Sequence, residues 1–221
     1  MHGDLERLDA GRWRLRFTRV LPHPQEKVWR AVTEPEHLAH WFPTTIEGER
    51  RPGAPLRFSF PGGQAPPFEG EMLAFEPRSL IELRWGPDIV RIELRPVDQG
   101  TELTLLDTLW ERGKAARDGA GWHTCLDALQ TSLDGEGSPR DQMEAWGEVH
   151  LHYVEAFGPE AATIGPRRMG LSERRSLIAR RPRDRVAWLR WRARWLVVAA
   201  CSATGAAPCG VGVAGPLDGS S

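Results

Sequence analysis

The chain has 221 residues, a hydrophobic content of 40%, a charged content of 27% and a formal net charge of −1, which is ordinary for a soluble globular protein. Three cysteines without a CxxC pair argue against a disulfide scaffold, and the apolar run at 195–201 is too short to span a membrane. The N-terminus alternates charged and apolar residues instead of forming a signal peptide, so we expect a cytoplasmic location.

The first part of the chain predicts one strand followed by two helices. Residues 12–20 alternate apolar and polar side chains, the pattern of a half-buried strand. Pro24 suits the first turn of a helix that continues through 28–32. Thr33 and Glu36 have the spacing of a capping box and predict the start of a second, short helix.

Five short strands are predicted next, separated by turns that contain glycine, proline or aspartate. Short connections between strands are typical of antiparallel neighbours. Within these segments apolar and polar residues alternate, which indicates one buried face and one exposed face. The strands fall near residues 56–60, 68–76, 80–85, 89–95 and 101–110.

A long amphipathic helix is predicted at about 120–134 and a final helix at about 140–157. In the first helix, apolar side chains recur at helical spacing and form a single stripe. The stripe consists of Trp122, Cys125, Leu126, Leu129 and Leu133. A long helix after an antiparallel sheet indicates a fold in which the helix lies across the concave face and encloses an apolar pocket.

Three segments resemble one branch of the START-like (SRPBCC) superfamily, the branch related to the C-terminal domain of the activator of heat shock protein 90 ATPase. Residues 24–42 are similar to its beginning, and residues 101–105 and 121–129 are similar to its last strand and grip helix. The resemblance implies an α+β helix-grip fold. In that fold a curved antiparallel sheet wraps around a long C-terminal helix, with two short helices after the first strand. We expect this domain at 1–158 and a tail at 159–221.

The resemblance also implies a function, because related families include lipid carriers, polyketide cyclases and aromatases. We expect a cavity between the sheet and the C-terminal helix that binds a small hydrophobic ligand of lipid, polyketide or aromatic type. Two alternatives remain open: a polyketide cyclase-like enzyme, and a chaperone- or stress-linked interaction protein with a protein partner. Residues 1–10 are too short for the co-chaperone's N-terminal domain, which counts against direct chaperone activation. We assign no catalytic residue and no cofactor from the sequence.

Nine residues are candidates for the ligand site. Asp107 breaks the apolar alternation of its strand: either it is buried, needs a partner and has a raised pKa, or the strand bulges there or the residue lies at a cavity mouth. His123 projects about 100° away from its neighbour Trp122, and it either hydrogen-bonds a polar ligand head, acts as a general base, or is a solvated or capped histidine. The other candidates are aromatic and form either a pocket lining or plain core packing. They are Trp41, Phe58, Phe60, Phe68, Trp85, Trp110 and Trp122.

Metal and nucleotide sites are not indicated by the sequence. His37 and His40 have a spacing compatible with two metal ligands on one helix face, but no suitably spaced third ligand follows. His150 and His152 do not face the same way on a helix. No GxSxG, HExxH, P-loop or GxGxxG motif is present.

The tail differs from the rest of the chain in charge. Residues 167–194 contain eleven arginines against two acids. Tryptophans spaced i, i+3 and i+7 predict a basic amphipathic helix at 186–198 that contacts an anionic membrane surface. Nucleic acid is a less favoured partner for these arginines, and a tail without function is the remaining alternative. Residues 202–221 are rich in glycine, alanine and proline and are predicted to be disordered.

Overall fold

A computed structural model describes residues 2–61, 65–135 and 139–165 of the chain. The predicted amphipathic helix at 186–198 and the predicted disordered segment at 202–221 lie outside these residues. Among the helices that the structure describes, none is both long enough and apolar enough to cross a membrane.

Eight strands form one sheet, and every neighbouring pair in it is antiparallel. The order across the sheet is β1-β2-β8-β7-β6-β5-β4-β3, so the last strand, β8, lies next to β2. The two edge strands, β1 and β3, are four and three residues long. The strands are β1 (Asp4–Arg7), β2 (Trp13–Leu21), β3 (Thr45–Glu47), β4 (Pro55–Ser59), β5 (Phe68–Glu76), β6 (Leu80–Trp85), β7 (Asp88–Val97) and β8 (Gly100–Leu109).

In the described part of the chain, four α-helices accompany the sheet, two of them between β2 and β3 and two after β8. The helices are α1 (Gln25–Thr33), α2 (Pro35–Leu38), α3 (Ala115–Asp134) and α4 (Pro139–Phe157). This architecture confirms the predicted α+β helix-grip fold. The predicted capping box is wrong, because Thr33 is the last residue of α1 and its hydroxyl donates to the Trp29 carbonyl over 2.7 Å.

The alternation of side chains defines the inner face of the sheet. Leu15 and Phe17 of β2 lie opposite Asp107 and Leu105 of β8, and Leu105 in turn lies opposite Ile92 of β7. All of these side chains are buried. Since successive residues of a strand point to opposite faces, this one register places the core side chains of the three central strands on the same side.

Helix α3 lies over this inner face, and side chains from the segment around α1 contact its C-terminal end. The Lys27 ammonium donates to the Leu133 carbonyl over 2.7 Å, and the His23 ring contacts the Asp134 carboxylate at 2.8 Å. Gly135 has a φ of 72° and ends the helix in the left-handed conformation that glycine tolerates best. A cation beside the last carbonyls also suits the helix dipole. Helix α3 is therefore held in a fixed position across the sheet.

Candidate functional site

Six aromatic side chains meet between α3 and the β4–β6 part of the sheet, and we call them the aromatic cluster. Trp85 is central: its ring centroid lies 5.1 Å from that of Trp122 and 5.5 Å from that of Phe42. Phe58 and Phe68 stack with centroids 5.0 Å apart. Offset and edge-to-face contacts at these distances are favourable. The cluster comprises Phe42, Phe58, Phe60, Phe68, Trp85 and Trp122.

A glycine in β5 makes room for this cluster. Gly70 lies opposite Trp85 in the sheet register, and a Cβ at Gly70 would come within 2.6 Å of the Phe58 ring and would also meet the Arg84 carbonyl. Any side chain at this position would displace the ring or the neighbouring strand. The absence of a side chain at residue 70 therefore permits the close ring packing around Trp85.

Five of the seven aromatic residues singled out from the sequence lie in the cluster, and a sixth lies beside it. Trp41 is buried, its ring lies 5.3 Å from that of Phe42, and its indole N–H donates to the Ala31 carbonyl over 2.9 Å. Phe42 was not among the sequence candidates, although its ring bridges Trp85 and Trp122. In the sequence, only its position directly after Trp41, at the end of the helical segment, indicates that Phe42 could lie in the cluster.

Trp110 does not line the cluster, which corrects the expectation drawn from its sequence. Its side chain is 78% exposed. The residue follows β8 directly, and strand alternation directs it away from the face that carries Asp107 and Leu109. Its backbone N–H donates to the Asp88 carboxylate over 2.9 Å, so the main chain of Trp110, and not its indole ring, contacts the buried charged residues. We remove Trp110 from the proposed ligand site.

His123 is buried, but it contacts a different set of side chains from Trp122. Its Nδ1 lies 3.0 Å from the Tyr153 hydroxyl and its Nε2 lies 3.2 Å from the Asp127 carboxylate. The Tyr153 hydroxyl also accepts the backbone N–H of Gly3 over 2.8 Å. His123 thus joins α3 to α4 and to the N-terminal segment, and no contact links it to the aromatic cluster among the residues described.

A buried charged cluster adjoins the aromatic cluster at the start of α3. The Lys114 ammonium contacts the carboxylates of Asp88 and Asp118, and the Arg117 guanidinium donates to Asp118 over 2.7 Å. Asp107 is 2% exposed, and its Oδ2 accepts the indole N–H of Trp122 over 2.8 Å. We call these five residues the charged cluster.

Burial has a strong effect on the acids of this cluster. Burial is the main reason that the pKa of Asp107 lies well above its ordinary value, and the nearby Asp88 carboxylate raises this pKa further. Burial also raises the pKa of Asp88, against the influence of Lys114. In contrast, the surrounding carboxylates outweigh the effect of burial on Lys114 and raise its pKa, which keeps it protonated.

Two buried polar atoms beside the aromatic cluster have no hydrogen-bond partner in the described part of the chain. They are Asp107 Oδ1 and Trp85 Nε1. A buried polar group without a partner costs free energy, so such atoms call for an explanation. Both residues contact the Trp122 indole, Asp107 through its hydrogen bond and Trp85 through its ring. The Trp122 indole therefore joins the apolar and polar parts of the candidate site.

Metal binding does not explain the carboxylates of the charged cluster. One oxygen each of Asp88, Asp107 and Asp118 lies within 4.8 Å of the others, a spacing that a cation could bridge. However, the Lys114 ammonium already contacts two of these carboxylates. Near the predicted His37 and His40 pair, His37 instead contacts the Glu34 carboxylate at 3.4 Å. We assign no metal to either group.

The antiparallel sheet with α3 across its inner face is the helix-grip arrangement of SRPBCC proteins. The chain belongs to the family described as Activator of Hsp90 ATPase homolog 1-like protein, whose model matches residues 22–134. No curated protein matches the chain.

Solved structures share the fold. A conserved protein of unknown function, EF2215 from Enterococcus faecalis, is similar with a TM-score of 0.60 and 19% identity over 70% of this chain and 90% of its own. CalU16 from Micromonospora echinospora has a TM-score of 0.55 and 23% identity over 70% of this chain and 94% of its own. DynU16, from the dynemicin biosynthetic locus, has a TM-score of 0.50 and 30% identity over 55% of this chain and 47% of its own.

Proposed function

We propose that this protein binds a small hydrophobic ligand of aromatic type between α3 and the inner face of the sheet, at the aromatic cluster. One observation carries the proposal. Among the described residues, two buried polar atoms lack hydrogen-bond partners, Asp107 Oδ1 and Trp85 Nε1, and both side chains contact the Trp122 indole of the aromatic cluster. Ligand sites are commonly apolar with a small number of polar groups that fix orientation. The origin of DynU16 in a biosynthetic locus is in keeping with a small-molecule ligand.

The ligand replaces ring–ring contacts within the cluster. Trp85 is half-buried, whereas Trp122 is 3% exposed, so Trp85 is the ring that moves most easily to admit a molecule. Burial of apolar ligand surface contributes about 25 cal/mol per Å² before the cost of association is subtracted. A planar ligand also keeps favourable ring contacts with Trp122 and Phe42.

The test is ligand binding by the full chain and by two matched tryptophan variants. Native mass spectrometry of the purified protein would detect a co-purified apolar molecule, and thermal shifts would be measured with a panel of lipids and aromatic compounds. Trp85→Ala removes the central ring and should abolish the bound mass or the shift. Trp110→Ala removes an exposed ring outside the cluster and should leave both unchanged.

The proposal fails if the wild-type protein, folded by circular dichroism, carries no bound mass and no compound shifts its melting temperature. It also fails if Trp85→Ala and Trp110→Ala bind equally well, because binding would then not depend on the aromatic cluster.

A second candidate function is binding of a protein partner, and the exposure of Trp110 favours it. Large exposed aromatic side chains are frequent anchors in interfaces. Because the family is described as activators of Hsp90 ATPase, the direct test is the ATPase rate of purified Hsp90 from the source organism. A rate increase that Trp110→Ser abolishes would support this function. An unchanged rate with the wild-type chain would contradict an Hsp90-activating role.

A further inference from the structure

We infer that the ligand carries a neutral acceptor oxygen of carbonyl type, as in a fused-ring ketone or quinone, and that Asp107 donates a hydrogen bond to it. This inference rests on the proposed function and adds the chemical class of the ligand. It follows from the charges beside Asp107, from the hydrogen bond of Trp122 and from the two polar atoms without partners.

The charges of the neighbouring residues balance without Asp107. Lys114 and Arg117 supply two positive charges, and Asp88 and Asp118 supply two negative charges that contact them directly. Asp107 has no direct ion pair within the described residues, and its side chain is 2% exposed. An ionised fifth group in this position would be a buried charge without a partner, which is strongly unfavourable.

Asp107 is therefore a neutral carboxylic acid in the folded protein. Its burial and the proximity of the Asp88 carboxylate both raise its pKa, in agreement with this assignment. A buried carboxylic acid that stays neutral can act as a hydrogen-bond donor.

The hydrogen bond from Trp122 decides which oxygen of Asp107 carries the proton. An indole Nε1 only donates, so the oxygen that it contacts, Oδ2, is an acceptor. The carbonyl oxygen of an acid is the better acceptor, which places the proton on Oδ1. Oδ1 is the oxygen without a hydrogen-bond partner in the part of the chain that the structure describes. The acid thus presents an O–H group that needs an acceptor.

The second atom without a partner has the same requirement. Trp85 Nε1 is also a donor only, and the Trp85 ring contacts the Trp122 ring that holds Asp107. Two donors without an acceptor select a ligand with an acceptor oxygen. An ammonium group does not satisfy them, and a pure hydrocarbon leaves both without a partner.

The test compares 9-fluorenone with fluorene, which have the same ring skeleton but differ by one carbonyl oxygen. Binding to the full chain is measured by equilibrium dialysis at pH 7. We expect the wild type to bind 9-fluorenone about fivefold to tenfold more tightly than fluorene, the effect of one net hydrogen bond. Asp107→Asn should keep this preference, because an amide accepts from Trp122 and donates as the neutral acid does. Asp107→Leu should lower it clearly below the wild-type value, since the Trp85 N–H alone then remains as a donor, and an undiminished preference would overturn the role of Asp107.

Each outcome separates the inference from the proposed function. Equal binding of the two compounds by the wild type overturns the carbonyl inference and leaves hydrophobic ligand binding intact. If neither compound binds, the carbonyl inference and the proposed hydrophobic-ligand function are both overturned for ligands of this size. Loss of the preference in Asp107→Asn overturns the assignment of a neutral donor. If Asp107→Leu does not fold, Trp85→Phe replaces it. That variant removes the second donor and keeps an aromatic ring. The preference for 9-fluorenone over fluorene must then fall below the wild-type value. An undiminished preference counts against Trp85 as a donor.

Discussion

Replacement of Asp107 by Asn should change how the stability of this protein depends on pH. The ordinary pKa of the carboxyl group is 3.8, and burial raises it well above that value in the folded state. For an acid with a raised folded-state pKa, the contribution to stability is complete below the ordinary pKa. It is lost as the pH rises towards the folded-state pKa, because the unfolded chain releases a proton that the folded chain retains. Asn at position 107 has no such proton.

The size of the effect follows from the number of protons involved. One proton retained by the folded state corresponds to a slope of about 1.4 kcal/mol per pH unit. Between pH 5 and pH 6 the free energy of unfolding of the wild type should therefore fall relative to that of Asp107→Asn, by up to about 1.4 kcal/mol. The difference between the two proteins cancels most contributions from the other titrating groups.

The assay is urea denaturation of both proteins at pH 5.0, 5.5 and 6.0, followed by tryptophan fluorescence. Asp98→Asn is the matched control, because Asp98 is exposed in the turn between β7 and β8 and lies outside the charged cluster. Parallel stability curves for the wild type and Asp107→Asn would refute the reasoning. They would mean that Asp107 is already ionised in the folded protein at pH 5.

Two further substitutions test the packing around the site. Tyr153→Phe removes the hydroxyl that accepts the backbone N–H of Gly3. It should lower the free energy of unfolding by about 1–2 kcal/mol and speed amide hydrogen exchange in β1. Unchanged exchange would contradict a role of this hydroxyl in holding the N-terminal segment. Gly70→Ala places a methyl group against the Phe58 ring and should cost about 1–3 kcal/mol in urea denaturation. Gly147→Ala, in α4 with no atom near the added methyl group, is the control and should stabilise by about 0.5–1 kcal/mol. Equal effects of the two alanine substitutions would contradict the close packing at residue 70.

The elements that could be predicted from the sequence are those whose own residues carry the periodic pattern. Alternation in β2 and β7, and the apolar stripe of α3, correctly indicated most of the buried side chains, whereas Trp13 and Cys125 are only half-buried. In these segments burial of one face dominates the energetics, so the pattern of residues and the structure agree.

The elements that were missed depend on contacts with distant parts of the chain. β1 has the sequence Asp-Leu-Glu-Arg, without a convincing strand pattern, and it becomes a strand because it pairs with β2. Helix α3 begins at Ala115, earlier than the predicted start at about residue 120. In the structure a Cβ at Gly119 would lie 3.3 Å from the Tyr153 and Phe157 rings of α4, so this position favours a residue without a side chain.

The site was predicted only in part for the same reason. Asp107 is recognisable in the sequence as a break in its strand pattern, and in the structure one of its two oxygens accepts the indole N–H of Trp122. The pairing of Lys114 with Asp88 joins residues 26 positions apart, and local patterns carry no information about such a pair. Trp110 was included because it is aromatic, although strand alternation from Asp107 and Leu109 directs its side chain to the opposite face.

The short edge strands have a consequence for the behaviour of this protein at high concentration. An open sheet edge exposes unpaired backbone groups to which another chain can add a strand, and this is a common route to aggregation. Here the edges are the four residues of β1 and the three residues of β3, with charged side chains at Asp4, Glu6 and Glu47. A second molecule could pair with only a few backbone groups at either edge, next to charged side chains. The sheet therefore offers little free backbone at either edge for strand addition by a second molecule.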